Sequence, residues 1–444
     1  MKNSDYTVPY LLILIGILSL FITLGAGVFA ATSFLAPDAG MNTKFSFYTM
    51  RPLHVSAALF WILSGAIGVT LFASFEIAHE GSLRISGSRL PAALWGTAVV
   101  GALICLGAGV YEGREYWEFP PIFSLFLLVS WIGLATQFFS VWRQIEGPRP
   151  VYQWMWATGF LSFVFTLLES NAWLLPWFND NIVRDITVQW KANGAIIGSW
   201  NMLIYGTGMY VMSRISGNAD APRRPLAFTL YFIGFTNLMF NWGHHTYPLP
   251  TAPWIRTVSY FVSMIEWLLL INIIRNWRAS LTEAQRHIHL FPYRFLFAAE
   301  IWVLLNLLLA LLMSIPALNL YTHGTHVTVA HAMGTTIGIN TMLLIGCLLY
   351  CLGIFSPVDR AKDLLTAGFW IGNTSLLIVW LALIVAGITK GYLTMTAPSL
   401  QFAEVMAQVT PFLVVFKYAG ISLFIGLTLV SIILIRSVFR AVSA

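Results

Sequence analysis

Two adjacent histidines, His244 and His245, follow an apolar stretch in the middle of the chain. Imidazole is the commonest metal ligand in proteins, but neighbouring residues on a continuous helix point in different directions. Gly243 precedes the pair and Pro248 follows it, and residues of these two types commonly end helices. Both imidazoles can therefore face one ion, and the pattern predicts a metal site.

Further candidate ligands lie along the chain at His331 and Met333, which occupy positions i and i+2. On an α-helix such positions point about 200° apart, so one helix can stand between two haems and ligate each of them. Histidine and methionine are both established axial ligands of haem iron. Glu266, in the middle of another apolar stretch, is a candidate proton carrier or metal ligand, because a carboxylate at membrane depth needs a partner.

Membrane helices must position these residues. The chain has 444 residues, of which 58% are hydrophobic and 9% charged, and its net charge is +6. Soluble domains carry about 25% charged residues, and nucleic-acid binding proteins carry dense basic patches, which this sequence lacks. We therefore predict an all-α integral membrane protein in contact with lipid, with one domain over residues 1–444. Twelve transmembrane helices are predicted near residues 10–33, 53–76, 92–111, 121–141, 152–172, 188–213, 226–243, 254–274, 294–315, 327–352, 364–388 and 408–436.

The distribution of cations predicts the orientation of these helices. With the N-terminus inside, 16 Lys and Arg residues fall in cytoplasmic loops and 7 fall on the other side. The positive-inside rule then places both termini in the cytoplasm. On this topology six of the nine histidines lie on the outer side, at helix ends of similar depth: His54, His244, His245, His323, His326 and His331.

Four stretches of the sequence resemble the catalytic subunit of the respiratory nitric oxide reductases, which belong to the haem-copper oxidase superfamily. They are Arg51 to His54, Glu112 to Glu118, Gly243 to His245 and Tyr321 to His331. The resemblance covers the whole chain and implies a twelve-helix bundle in the bacterial inner membrane. It also implies two haems b and a non-haem metal, with the active site toward the periplasm.

The resemblance implies a role for each matching residue. His54 would ligate the low-spin haem, and His331 would be the proximal ligand of the high-spin haem. His244 and His245 would hold the non-haem metal, with Glu266 beside it. Glu118 would lie near a calcium ion that bridges the haem propionates.

The sequence departs from this family at three positions. Asn193 stands where the family has a third metal-ligating histidine, Ile197 replaces a glutamate one turn later, and Met333 replaces a histidine ligand of the low-spin haem. Two histidines and a carboxylate form the ligand set of non-haem iron(II), so we predict iron at this site. Asn193 could contribute only an amide oxygen, which leaves Glu266 as the candidate proton relay. Ligation by Met333 would raise the potential of the low-spin haem.

These features predict reduction of two nitric oxide molecules to N₂O, as in denitrification, with electrons passing through the low-spin haem. The chain has no Cys-x-x-Cys-His haem-attachment motif, so a cytochrome c-type subunit would supply the electrons. Three alternatives stay open. They are nitric oxide dismutation, which would tolerate the loss of the glutamate at position 197, oxygen reduction by a terminal oxidase with Tyr260 beside the site, and haem binding without catalysis.

Overall fold

The computed structural model describes residues 3–36, 45–85, 87–262, 264–265, 282–355 and 360–443. Within these ranges the chain is helical apart from its loops and one isolated bridge between Arg114 and Trp117. The all-α prediction is therefore confirmed for the part of the chain described.

Fifteen α-helices with named bounds follow one another along the described chain. They are α1 (Thr7–Leu35), α2 (Phe47–Glu80), α3 (Leu90–Gly107), α4 (Pro121–Trp142), α5 (Val151–Ser170), α6 (Pro176–Asn179), α7 (Ile182–Ser216), α8 (Pro225–Phe240), α9 (Glu283–Ile288), α10 (Leu290–Ser314), α11 (Pro316–Thr322), α12 (His326–Met333), α13 (Met342–Cys351), α14 (Arg360–Thr396) and α15 (Phe402–Ser443). Residues 253–262 are also helical. Short 3₁₀ segments cover Asn3–Tyr6, Ala172–Leu174, Ala221–Arg223 and Asn241–Thr246, and a π-helix, Gly334–Thr341, joins α12 to α13.

Nine helical segments in the described ranges are long and apolar enough to cross a membrane. They are α1, α2, α3, α4, α5, α10, the continuous segment formed by α12 and α13, α14, and α15. Three predicted spans are outside this set, so the count of twelve stays a prediction. The sixth coincides with α7, whose first half carries the charged residues Arg184, Asp185 and Lys191. The seventh coincides with α8, which has 16 residues, and most of the eighth lies outside the described residues, as does Glu266.

Buried tryptophans connect neighbouring helices of the bundle. The indole of Trp61 on α2 is 1% exposed and donates to the hydroxyl of Thr341 at 2.9 Å. Trp95 on α3 likewise donates to Ser64 at 2.8 Å. A buried indole N–H needs such an acceptor. These hydrogen bonds therefore fix the orientation of neighbouring helices that also pack through apolar side chains.

Glycines set the relative position of α10 and the segment from α12 to α13. Gly334 packs on Asn306, and Gly346 packs on Leu296, with so little space that a Cβ at either position would crowd its neighbour. Gly338 packs in the same way on Trp302. Residue numbers rise on one segment as they fall on the other, so the two run antiparallel.

A second set of close contacts brings the His244–His245 segment to α7. Gly194 and Gly198 on α7 lie against Trp242 and Leu238, near the end of α8. Further along α7, Gly208 packs on Leu343 of α13, while Gly194 lies against the turn that carries His244 and His245, which shares a cavity with His331 of α12. Residue numbers therefore rise together on α7 and on the segment from α12 to α13, and the two run parallel. The absence of side chains on these glycines lets the backbones approach, and the approach places the 3₁₀ turn beside α7.

Candidate active site

Three of the predicted ligands line one cavity inside the bundle. The cavity has a volume of about 280 Å³ and lies between α7, α8, α10 and the segment from α12 to α13. His244 and His245 line it from the turn after α8, and His331 lines it from α12. The structure therefore brings together imidazoles that are almost ninety residues apart in the sequence.

The adjacent histidines are held by different neighbours. Their ring centroids lie 4.2 Å apart with an angle of 43° between the planes. His244 Nδ1–H donates to the side-chain oxygen of Asn241 at 3.0 Å, which leaves Nε2 of that ring as the available ligand atom. His245 stacks on the indole of Trp190, with centroids 4.8 Å apart and planes 10° apart. Each ring is therefore oriented by a contact other than a metal.

His331 reaches the cavity from a helix that is clamped against α10. The side-chain nitrogen of Asn306 donates to the His331 carbonyl at 3.1 Å and to the hydroxyl of Thr335 at 2.8 Å. The indole of Trp380 donates to the oxygen of the same asparagine at 3.3 Å. Nδ1 of His331 is buried and has no hydrogen-bond partner in the described part of the chain. The ring is thus a buried imidazole at a fixed position in the cavity wall.

Asn193 and Ile197 occupy different positions relative to this cavity. Ile197 lines the cavity, together with Gly194, Gly198 and Asn201 of the same helix. Asn193 is 2% exposed, and its side-chain oxygen accepts a hydrogen bond from Gln189 at 3.1 Å. Its side chain is therefore engaged along α7, and its predicted contact with the metal stays a prediction.

His54 is prepared for ligation at its second nitrogen. Its Nδ1–H donates to the carbonyl of Thr23 on α1 at 2.7 Å, which leaves Nε2 available. Gly27 lies directly over the ring, where a Cβ would meet Nδ1 at 2.7 Å. Met333, the other predicted ligand of the low-spin haem, is half-buried at the end of α12.

Glu118 belongs to an ion-pair cluster in the loop between α3 and α4. Arg51 Nη1 donates to Glu118 at 2.7 Å, and Arg51 Nη2 donates to Glu115 at 2.9 Å. The second oxygen of Glu118 is buried with no hydrogen-bond partner among the described residues. Burial raises the pKa of Glu118 above its ordinary value, and the nearby charge of Arg51 opposes this shift.

The turn that carries these acids requires a glycine. A Cβ on Gly113 would overlap the carbonyl of Trp117, so another residue would force the loop open. Tyr116 adopts a positive φ of 75° in the same turn, and burial raises its pKa to about 12. The Glu112 to Glu118 stretch is therefore a tight turn that holds two carboxylates over Arg51.

The described residues contain no group of three His, Cys, Asp or Glu side chains placed to hold a metal ion. His244 and His245 are among these residues, but Glu266 lies outside them. The predicted ligand set of two histidines and this glutamate therefore stays a prediction.

Sequence reasoning missed three residues at this cavity. Asn306 and Glu300 on α10 both line it, and Trp190 stacks on His245. Glu300 is 6% exposed, and it could have been found by the argument that selected Glu266, since it too is a carboxylate inside an apolar stretch. No sequence signal marks Trp190, because its contact depends on how α7 and α8 are packed.

Comparison with known families identifies the class of this fold. The family model described as "Cytochrome C and Quinol oxidase polypeptide I" matches residues 7–422. The chain belongs to this family, the subunit I family of the haem-copper oxidases. Its members are membrane oxidoreductases of respiratory electron transport that bind haem.

Individual relatives are distant and carry different names. The chain is 25% identical over 428 residues to a "Cytochrome c oxidase subunit 1 homolog" of Agrobacterium tumefaciens (strain T37), covering 90% of this chain and 77% of the relative. It is 22% identical over 418 residues to a nitric oxide reductase subunit of Stutzerimonas stutzeri, covering 86% and 84%. A heme-copper terminal oxidase dimer solved by cryo-EM shares the fold with a TM-score of 0.77 at 14% identity, covering 99% of this chain and 84% of that one.

Proposed function

We propose that this protein is a membrane oxidoreductase resembling the nitric oxide reductases, which couples two molecules of nitric oxide to N₂O. The reaction is 2 NO + 2 e⁻ + 2 H⁺ → N₂O + H₂O. The observation that carries the proposal is the cavity that His331 lines from one element and that His244 and His245 line from another. A small gas fits such a cavity, and if each of the two ligand sets held a metal, each metal would supply a binding site for one diatomic.

The residues present fit the groups that the family binds. His331 offers an imidazole for a high-spin haem b, and His244 and His245 offer two for a non-haem iron, with Glu266 as a further ligand. His54 and Met333 would hold a low-spin haem b. The hydrogen bonds from His54 to Thr23 and from His244 to Asn241 support this assignment, because each occupies Nδ1 and leaves Nε2 for a metal.

When bound, the haems and the iron supply one-electron redox chemistry and bind the gas. The chain supplies the orientation of the ligands. Asn306 fixes the turn that carries His331, and Trp190 fixes the plane of His245. Ile197 adds an apolar wall and no proton acceptor, so protons must reach the cavity through other side chains.

Glu118 completes the proposal at the outer end of the bundle. Its buried and unpartnered oxygen beside Arg51 suits a calcium ion, which prefers carboxylate ligands. We further propose that the protein lies in a bacterial inner membrane with both termini in the cytoplasm and the active site toward the periplasm. A cytochrome c-type subunit would deliver the electrons.

Similarity to a relative named as a nitric oxide reductase subunit supports this proposal. Oxygen reduction is the second candidate, favoured by the similarity to a relative named as a cytochrome c oxidase subunit 1 homolog. The predicted ligand set favours nitric oxide, because two imidazoles with the carboxylate of Glu266 suit non-haem iron, whereas copper in this superfamily is expected among three imidazoles.

Gas analysis on the purified protein tests the proposal. Haem and metal content are measured first, and nitric oxide is then added without oxygen, with and without a chemical electron donor. N₂O that requires the donor supports the proposal. N₂ and O₂ formed without a donor would indicate dismutation, and consumption of O₂ without N₂O formation would indicate an oxidase. Bound haem with no second metal and no gas conversion would indicate a protein that binds haem without catalysis.

Single substitutions connect the activity to the cavity. We expect His331→Ala to remove the high-spin haem signal, and His244→Ala to remove the non-haem metal, with N₂O formation lost in both. His289→Ala is the matched control, because this histidine lies in a loop against Phe355, away from the cavity residues. A His331→Ala protein that retained full N₂O formation would refute the proposed site.

A further inference from the structure

Glu300 is a buried carboxylate within a helix that can span the membrane. It lies on α10, is 6% exposed and lines the same cavity as the three histidines. Placing a charged side chain at the centre of a membrane helix is costly, so ionisable residues there are rare and commonly functional. A glutamate at this depth therefore favours a function that uses its carboxyl group.

The helix packing fixes the depth of Glu300 relative to His331. Because Trp302 packs on Gly338 and Leu296 packs on Gly346, Glu300 lies at the level of residues 340 and 341. Asn306 packs on Gly334, so the level of His331 lies about nine residues beyond Glu300 along α10, which corresponds to about 14 Å along the axis of that helix. Glu300 is thus separated from the histidines in depth while lining the same cavity.

The facing wall of the cavity carries polar groups between these two levels. Gly208 of α7 packs on Leu343, so Tyr205 lies at about the depth of Glu300. Asn201 lies one turn closer to the histidines, and both residues line the cavity. The side-chain oxygen of Asn201 is buried and has no hydrogen-bond partner in the described ranges. These groups could order water between Glu300 and the histidines.

We propose that Glu300 is the proton carrier that supplies the cavity from the side of the bundle opposite to His244 and His245. The inference rests on the proposed function. Each turnover needs two protons for the oxygen atom that leaves as water, together with two electrons from a one-electron donor protein. Glu300 passes a proton through water held by Tyr205 and Asn201, becomes a carboxylate, and is reprotonated from the aqueous phase that the charge distribution predicts to be cytoplasmic.

Few other described residues in the lining of the cavity could carry a proton to the histidines. On α7 the residues nearest the histidines are Gly194, Ile197 and Gly198, and none of them can exchange a proton. Asn201, Asn237 and Asn306 are amides, which orient water without titrating. Among the described residues that line the cavity, Glu300 is the carboxylic acid.

Three variants in the holoenzyme test this role. Glu300→Gln keeps the shape and removes the exchangeable proton, Glu300→Asp keeps the acid on a shorter side chain, and Glu404→Gln is the control, since Glu404 is exposed at the start of α15. We expect Glu300→Gln to slow the proton-uptake phase of a single turnover by about 100-fold, within the range for general acid catalysis. Glu300→Asp should restore part of the rate, and Glu404→Gln should match the wild type.

Two further readouts separate proton transfer from a structural role. Infrared difference spectra recorded on photolysis of carbon monoxide from the reduced protein should show a carboxyl C=O band that is lost in Glu300→Gln and shifted in Glu300→Asp. In liposomes, a pH dye trapped on the side away from His244 should report the proton uptake. The infrared measurement requires bound haem but no turnover of nitric oxide.

The outcomes keep the two proposals distinct. Absence of gas conversion by the wild type would refute the proposed function, while the infrared band would still report on Glu300. A wild type that forms N₂O, with Glu300→Gln within twofold of its proton-uptake rate, would overturn the role of Glu300 alone. If Glu300→Gln loses haem, the infrared spectra of the wild type and Glu300→Asp are compared instead. A carboxyl band that is the same in both proteins, or absent from both, would overturn the inference.

Discussion

The imidazole of His245 lies flat against the indole of Trp190, with ring centroids 4.8 Å apart and planes only 10° apart. The stack joins α7 to the turn after α8 at the edge of the cavity. It restrains His245 from α7, at a residue that precedes Asn193 by less than one helical turn.

Removal of this stack should loosen the non-haem metal. We expect Trp190→Leu to weaken metal binding by about 10-fold or more, as loss of ligand-orienting neighbours commonly does, while Trp190→Phe should retain most of it. Metal content after dialysis against a graded chelator series is the measurement. Trp370→Leu is the control because Trp370 is 61% exposed on α14. Equal metal retention in Trp190→Leu and the wild type would show that the stack does not position His245.

The proposed low-spin haem can be tested from both of its ligands. His54→Ala should abolish the low-spin spectrum, and Met333→His should preserve it while lowering the haem potential, because a thioether stabilises the ferrous state relative to imidazole. Optical redox titration gives both quantities. Met395→His, at an exposed position on α14, controls for the added histidine. A normal low-spin spectrum in both His54→Ala and Met333→Ala would refute this ligand pair.

The proposed calcium site can be tested by comparing two glutamates that pair with the same arginine. Glu118 and Glu115 both pair with Arg51, but their side chains are 16% and 42% exposed. We expect Glu118→Gln to lose bound calcium, measured by elemental analysis after gel filtration, and Glu115→Gln to retain it. Chelation by EGTA should lower the unfolding temperature of the wild type more than that of Glu118→Gln. Calcium content that is unchanged in Glu118→Gln would exclude this residue as a ligand.

The close approach of α7 and α8 predicts a strong effect of a small side chain. In Gly194→Ala the added Cβ would meet that of Trp242 at 2.6 Å, so the turn that holds His244 and His245 must move. Overpacking of this kind costs about 1–3 kcal/mol, and we expect loss of the non-haem metal with partial loss of thermal stability. Gly25→Ala, where the added Cβ meets nothing within 4 Å, should behave as the wild type in metal content. Wild-type metal retention in Gly194→Ala would show that the turn tolerates displacement.

Much of this site was predictable because its strongest signals are local. The His244–His245 pair lies in a helix break marked by glycine and proline, and the structure places it in one cavity with His331. The membrane helices were predictable from runs of apolar residues, and nine of the twelve predicted spans match described helices that could cross a membrane. Confirmation stops at α7 and α8, where charged residues or short length weaken the signal.

The remaining features depend on packing that no single stretch encodes. Asn193 and Ile197 are one turn apart on α7, yet their contacts differ. The side chain of Asn193 is hydrogen-bonded to Gln189, whereas Ile197 lines the cavity. Glu300 has a usable sequence signal as a carboxylate inside an apolar stretch, but the stretch around it resembles no motif. The roles of His54, Met333 and Glu118 stay predictions, since hydrogen bonds orient His54 and Glu118 but do not identify what these residues bind.

The π-helix between His331 and α13 also constrains how this sequence can change in length. A π-helix holds more residues per turn than an α-helix, so each residue from Gly334 to Thr341 turns the chain by less than the about 100° of an α-helical residue. If this segment became α-helical at its present length, His331 would rotate relative to α13, whereas loss of one residue would offset much of that rotation. A one-residue deletion in this segment is therefore easier to accommodate than a one-residue insertion.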